Sequence, residues 1–228
     1  MSDLLSIPEA AEELRLHPSR VRALAAQGAL PAIKIGNRWA VDRVAVARRL
    51  QGEHGAGRPF EPANAWAVLI LASGDQPDWL DPKARWRLRR ALRLEGLGGL
   101  APRLARRADS RVFRAHPGEL PHVLEDPGLI RSGISAAGSY GLDLLSGAEA
   151  DGYVPASRVS ELQRSHALEP AGIGDGNVLL RVVPDSAWHL GRHDAVAPPA
   201  AVALDLLGAG DARSQGAGRR LLKQLADA

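Results

Sequence analysis

Residues 6–50 read SIPEAAEELRLHPSRVRALAAQGALPAIKIGNRWAVDRVAVARRL, and their order of breakers and apolar residues decides the fold. Ser6-Ile7-Pro8-Glu9 has the form of a helix start: a serine cap, a proline just inside, and a glutamate at capping-box spacing. Ile7, Ala10, Ala11 and Leu14 then recur at helical spacing. His17-Pro18 opens a second helix that turns Val21, Leu24 and Ala25 inward. Ser19, Arg20 and Ala23 are left on its outer face, with Arg22 toward a flank, and Gly28 supplies a left-handed stop. Ala32 to Ile35 alternate, turn at Gly36-Asn37 and resume through Arg38, Trp39, Ala40 and Val41, which predicts a two-residue hairpin. A third helix, capped by Asp42, is expected to close the small core with Val44, Ala47 and Leu50.

Two short helices joined by a tight turn, the second exposing cations in its first turns, is a layout that fits a DNA major groove. A hairpin carrying Lys34 and Arg38 beside its tip can reach a neighbouring phosphate strand. These elements resemble the excisionase/MerR-type winged helix-turn-helix over residues 4–50. The likeness is carried by Glu9-Ala10-Ala11, Pro18-Ser19-Arg20-Val21, Gly28-Ala29-Leu30-Pro31 and Lys34-Ile35-Gly36-Asn37-Arg38-Trp39. It implies that Ser19, Arg20 and Arg22 sit at the groove and that Lys34, Asn37 and Arg38 form the wing contact. Arg22 stands where that family usually has an aromatic residue, which suits a phosphate contact rather than a base contact. The competing reading of the same residues is a helical protein–protein module with solvated arginines.

The rest of the chain sets the context. Its 228 residues, 45% hydrophobic, are enough for two or three units with real cores. The longest apolar run, Ala65 to Ala72, is too short to span a bilayer and suits a buried helix. The opening residues lack the blocks of a secretory signal, so a cytoplasmic location without membrane attachment is expected. No cysteine is present, which excludes disulfides, thiolate catalysis and cysteine-based zinc sites. Net charge is only +3, but the 29 basic residues are nearly all arginine, whose planar fork suits phosphate or acidic partners.

Breakers crowd residues 51–59, QGEHGAGRP, so the expected organisation is a head over 1–51, a flexible linker over 52–62, and an α+β domain over 63–228. That domain allows a subdivision near 150. Helices are expected from Pro62 to Ala72, from Asp81-Pro82 onward with Ala84, Leu88, Ala91 and Leu92 inside, and again over 97–110. Strands are expected at 110–116, 151–155 and 177–184, and a helix capped near Ser157. The chain ends in two helices hinged at Gly208–Gly210, the second capped by Asp211. The fold class is therefore α+β: a winged helix-turn-helix followed by a larger, mainly helical part with a few short strands.

Between Lys83 and Arg114 stand eleven basic residues against Glu95 and Asp109, a local balance of +9. Arg85, Arg89, Arg93, Arg103, Arg106 and Arg107 form a candidate second anionic contact, for flanking DNA or the acidic face of a protein. Solvated helices are the alternative. No catalytic constellation is legible, so no enzyme and no cofactor are expected. His189 and His193 share a loop-like stretch with Gly191 and make a poor metal pair. Asp78 and Asp81 mimic a nuclease motif, but they fall on a loop and a helix cap.

Residues 178–213 are similar to the tail of AbiEi-type antitoxins. The match runs through Val178 to Val183, Ala197 to Leu207 and Gly210-Asp211-Ala212-Arg213. It covers about the last fifty residues well and the middle loosely, and the excisionase-like head departs from that family's usual one. The resemblance implies a bacterial type IV toxin–antitoxin system: a repressor of its own operon that binds an inverted-repeat operator and antagonises a nucleotidyltransferase toxin. Asp205 and Arg213 are read as capping and pinning the terminal helices. A ligand-responsive regulator is the alternative function, with a recombination directionality factor or a nuclease behind it.

Overall fold

Strand β1 (Leu4–Ser6) runs straight into helix α1 (Ile7–Leu14) because Ser6 both ends the strand and caps the helix. The Glu9 amide donates to Ser6 Oγ at 3.4 Å and the Ser6 amide donates to Glu9 Oε2 at 2.7 Å, a reciprocal capping box. The computed structural model describes residues 4–26, 30, 32–35, 38–43, 45–46, 58–144, 148–172, 174–190 and 195–227. By contacts the chain divides into two units, Met1–Gly57 and Arg58–Ala228.

In the first unit α1 stops at Arg15, whose φ of 52° is left-handed, with the Leu16 amide returning to the Ala11 carbonyl at 3.0 Å. Helix α2 (Pro18–Ala26) follows at once, then strands β2 (Ala32–Ile35) and β3 (Arg38–Asp42). The sheet order is β1-β3-β2, antiparallel throughout. Pairing of Ile35 with Arg38 leaves two residues between the strands, the hairpin that the alternation predicts. Strand β1 is an addition that residue spacing does not predict. The core comprises the expected Ile7, Ala10, Ala11, Leu14, Val21, Leu24 and Ala25, joined by Leu5, Leu30 and Val41. Ala45 and Val46 are helical and buried. Gly28, Val44, Ala47 and Leu50 lie outside the described residues, as does the linker over 51–57.

The second unit is built on a five-stranded sheet, ordered β5 (Ile130–Arg131), β6 (Ala150–Pro155), β8 (Val178–Val183), β4 (Asp109–Arg114), β7 (Glu169–Pro170). Within this order only the central pair β6–β8 is parallel; the other neighbours run antiparallel. Because β4 and β8 pair directly, residues 63–150 and 151–228 share one sheet inside one unit rather than forming separate subdomains. Side-chain alternation gives the sheet two buried faces. Phe113, Ala150, Val154, Val178, Leu180 and Val182 pack with helices α5 (Leu120–Glu125) and α7 (Val159–Ser165). Tyr153 and Val183 point the other way, into the larger core.

That larger core is formed by α3 (Pro62–Ala72), α4 (Pro82–Leu100), the short α6 (Gly133–Ala136), α8 (Pro199–Leu207) and α9 (Ala212–Asp227). Helix α3 has the expected limits and is buried on all sides over Ala65–Leu69. Trp66 meets the Tyr153 ring edge-on, with centroids 4.7 Å apart. The helix expected over 97–110 is not a separate α-helix. Helix α4 runs to Leu100 with a break at Gly96, where φ is 66° and ψ 165°, a conformation glycine adopts without strain. A 3-10 segment, Ala101–Arg107, completes the connection. Ser157 caps nothing: its amide and hydroxyl both donate to Asp185 Oδ1, and α7 starts at Val159 after a 3-10 turn. Asp211 does cap α9, accepting from the Ser214 amide at 2.8 Å. No helix among the described residues is long and apolar enough to cross a membrane.

Candidate nucleic-acid interface

The first unit's exposed cations are set by how α2 begins. His17, which no sequence motif singles out, holds the turn: its Nδ1 accepts from the Ser19 amide at 3.3 Å and lies 2.8 Å from the Ser19 hydroxyl. An imidazole therefore serves as the capping side chain, satisfying an amide at the open start of the helix. Val21, Leu24 and Ala25 are buried against α1 and the sheet. Ser19, Arg20 and Arg22 are all exposed. Ser19 and Arg22, three apart, share one edge of the helix, while Arg20 stands on another above the half-buried Ala23. The first turns of α2 thus offer two separated guanidinium groups and a hydroxyl, the donor types that reach base edges and phosphates.

In the hairpin, Lys34 pairs with Trp39 and Ile35 with Arg38. Lys34 and Arg38 are therefore both close to the turn, on adjacent strands. Of their side chains, and of Asn37, nothing is described. Trp39 packs half-buried against the small core and so ties β3 to α1 and α2. Glu9 is locked by Ser6, which holds its carboxyl below the usual range and keeps an anion at the start of α1, where the helix dipole favours it.

Residues 4–54 match a protein-family model described as a helix-turn-helix domain. No curated protein and no solved structure matches the chain. The helix-turn-helix domain and the fold of the first unit agree: two short helices meeting at a left-handed residue, followed by a strand pair. The chain carries a DNA-binding helix-turn-helix domain at its N-terminus and a larger α+β part after it.

The six arginines expected to form a second anionic contact do not share one exposed surface. Arg89 and Arg93 on α4 and Arg106 beyond it are exposed, as expected. Arg103 instead pairs with Glu95 at 3.2 Å and lies over the Phe60 ring at 4.0 Å. Arg85 is turned back on its own helix start, donating to the Leu80 carbonyl at 3.1 Å. Arg107 is turned mostly inward, its side chain only 13% exposed. Its Nη2 donates to Asp205 Oδ1 at 2.5 Å and its Nε to the Tyr153 hydroxyl at 2.9 Å.

Those contacts belong to a buried ionic cluster. Asp205, fully buried on α8, also accepts from the Ser132 hydroxyl at 2.5 Å and the Tyr153 hydroxyl at 3.0 Å, and Arg181 Nη1 lies 3.3 Å away. Arg181 in turn forks onto both oxygens of Asp151, at 2.9 and 2.8 Å. Parallel pairing of Tyr153 with Arg181 puts both on the sheet face that meets α8. Burial pushes the Asp205 carboxyl up, but Arg181, Arg107 and Ser132 together hold it below the ordinary carboxylate range. Burial likewise raises the Tyr153 phenol, which keeps it a donor. The expected capping role of Asp205 is thus replaced by a structural one deep in the core. Arg213 does pin the terminal helix, donating to the Asp143 carbonyl at 3.1 Å.

His189 and Asp81 also have defined settings. His189 is not loose in solvent but stacks on Trp79, with centroids 3.8 Å apart and planes 6° apart; His193 lies outside the described residues. Asp81 caps α4 through the Ala84 amide at 2.8 Å. Among the described residues no group of three His, Asp or Glu side chains is placed to hold a metal ion.

Proposed function

We propose that this chain is a sequence-specific transcriptional repressor that reads a duplex operator with α2 and braces itself with the β2–β3 wing. The observation that carries this reading is the exposure of Ser19, Arg20 and Arg22 on the second helix of a helix-turn-helix domain. The wing supports it: its register leaves Lys34 and Arg38 on neighbouring strands at the turn. Arg20 supplies base discrimination, and Arg22, Lys34, Asn37 and Arg38 supply sequence-blind, salt-dependent affinity. The operator is an inverted repeat that takes two copies of the chain, in keeping with the two-fold symmetry of such sites. A mobility-shift assay on the DNA upstream of the chain's own gene tests this. A specific complex forms, and the double substitution Arg20→Ala with Arg38→Ala abolishes it.

As the finer reading we propose a type IV antitoxin that restrains a nucleotidyltransferase toxin. Its support is the resemblance of about the last fifty residues to AbiEi-type proteins. Co-production with a neighbouring nucleotidyltransferase gene tests it: growth arrest by the toxin alone is relieved by this chain, and unrelieved arrest rejects the role. A ligand-responsive regulator is favoured by one observation. A cavity of about 640 Å³ in the second unit is lined by Ile130, Pro155, Ser157, Arg158, Asp185 and Trp188.

A further inference from the structure

Helix α4 presents an outer face that combines exposed cations with two exposed large apolar side chains. Leu88 is its buried anchor, with Ala84, Ala91 and Leu92 half-buried beside it. Opposite them, at helical spacing, stand Lys83, Trp86, Arg87, Arg90, Arg93 and Leu94, all exposed. Trp86 is 55% and Leu94 74% exposed, two of the three large apolar side chains so placed among the described residues. The Arg90 guanidinium lies over the Trp86 ring, 5.6 Å from its centroid. Glu95, the single acidic residue of the helix, lies toward the other side and is engaged by Arg103. Lys83, Arg87 and Arg93 have no acidic partner among the described residues.

An apolar groove adjoins this face at Arg93, on the flank of α4 that carries Leu92. Leu92, Arg93 and Leu97 of α4 form one wall, Leu222 and Leu225 of α9 the other, and Ala72 at the end of α3 contributes to the lining. Its volume is about 600 Å³, enough for one or two large apolar side chains. On the far wall Arg219 and Lys223 are exposed within a turn of Leu222. The groove is thus an apolar trough edged with positive charge on both sides.

We propose that this trough and the outer face of α4 dock an acidic, amphipathic helical segment of a partner protein. The apolar stripe of the segment fills the groove and covers Trp86 and Leu94, while its carboxylates meet the arginines. Duplex DNA suits the cations but not the rest: phosphates give Leu94 and the groove's leucines nothing to bury against. Tryptophan and arginine together are the residues enriched where protein interfaces concentrate their binding energy. The proposal is independent of the operator reading and of the antitoxin role.

The test uses the full chain and three labelled probes in fluorescence anisotropy. The first is a synthetic helical peptide with leucine at i, i+3, i+4 and i+7 and glutamate elsewhere. The second is a scrambled peptide of equal composition, and the third a random-sequence DNA duplex. The amphipathic peptide binds, and the scrambled one binds roughly tenfold or more weakly, since only the stripe can enter the groove. Trp86→Ala, and separately Arg90→Glu with Arg93→Glu, each weaken peptide binding by about tenfold or more and leave duplex binding within about twofold. All three residues are exposed, so folding is retained and is checked by circular dichroism. Equal binding of the two peptides, or indifference to these substitutions, overturns the proposal. So does loss of duplex affinity in the charge-reversed variant without any peptide binding, which makes the face a nucleic-acid contact.

Discussion

Replacing Asp205 with alanine removes a carboxylate that four groups converge on: Arg107, Arg181, Tyr153 and Ser132. Arg181 keeps its two bonds to Asp151. Arg107 keeps only the Tyr153 hydroxyl and the Leu104 carbonyl, with its side chain 13% exposed. One guanidinium is thus left buried and uncompensated, a loss of about 3–5 kcal/mol for a broken buried pair. In a unit of this size each kcal/mol moves the melting temperature by about 2–4 °C, so the midpoint falls by roughly 6–20 °C. Asp205→Asn, which keeps an acceptor but not the charge, lies between wild type and Asp205→Ala. The assay is thermal unfolding of the full chain, followed by circular dichroism and by tryptophan fluorescence; Trp66 touches the cluster through Tyr153 and through the Arg107 carbonyl. A fall of less than about 2 °C in Asp205→Ala refutes the idea that this carboxylate neutralises the core, since even ~1 kcal/mol moves the midpoint that far.

Gly218 sits where α9 crosses α8, and an added Cβ would stand 2.8 Å from the Ala203 carbonyl oxygen and 2.9 Å from the Leu207 amide. Gly218→Ala therefore forces the helices apart and costs about 1–3 kcal/mol in denaturant unfolding. His166 lies between Glu119 Oε1 at 2.7 Å and Asp126 Oδ2 at 3.1 Å; burial pushes its imidazole down, but the two carboxylates more than reverse this and raise it above its ordinary value. That stabilisation is complete below the unfolded-state value near ~6.5 and is lost as pH rises through the raised folded value, so melting between about pH 6 and 8 shows a decline that His166→Gln flattens. On the duplex, Lys34→Ala weakens binding equally across sequences and lowers the slope of log affinity against log salt by about 0.9.

The head was legible because its signals are local. Ser6 and Glu9 are three residues apart, the paired Ile35 and Arg38 are also three apart, and Val21, Leu24 and Ala25 repeat within one helix. Helix Pro62–Ala72 and strand Val178–Val183 were legible for the same reason: each is a bounded apolar run. Strand β1, three residues long, has no period to read and forms only because β3 is there to pair with it. The 3-10 path through Ala101–Arg107 was hidden because its composition matches the helix before it, while Gly96 alone breaks the run.

The burial of Arg107 is not legible in the sequence because its decisive partner is 98 residues away, beyond any spacing argument. A signal was nevertheless present. Asp205 interrupts the apolar run Ala200 to Leu207, and Arg181 interrupts Val178 to Val183. A charge in a stretch that must be buried requires an opposite charge buried with it. The exposure of Trp86 and Leu94 was invisible for the converse reason, since nothing in the sequence marks an apolar residue that the fold leaves uncovered.

DNA reading by α2 is tested most directly by titrating the full chain, wild type and Arg20→Ala, against its upstream operator and a random duplex of equal length. The wild type prefers the operator, and Arg20→Ala loses about 1–3 kcal/mol there, roughly a 5- to 150-fold weakening, while random-duplex affinity changes little. Equal affinity of the wild type for both duplexes, unchanged by Arg20→Ala, contradicts it.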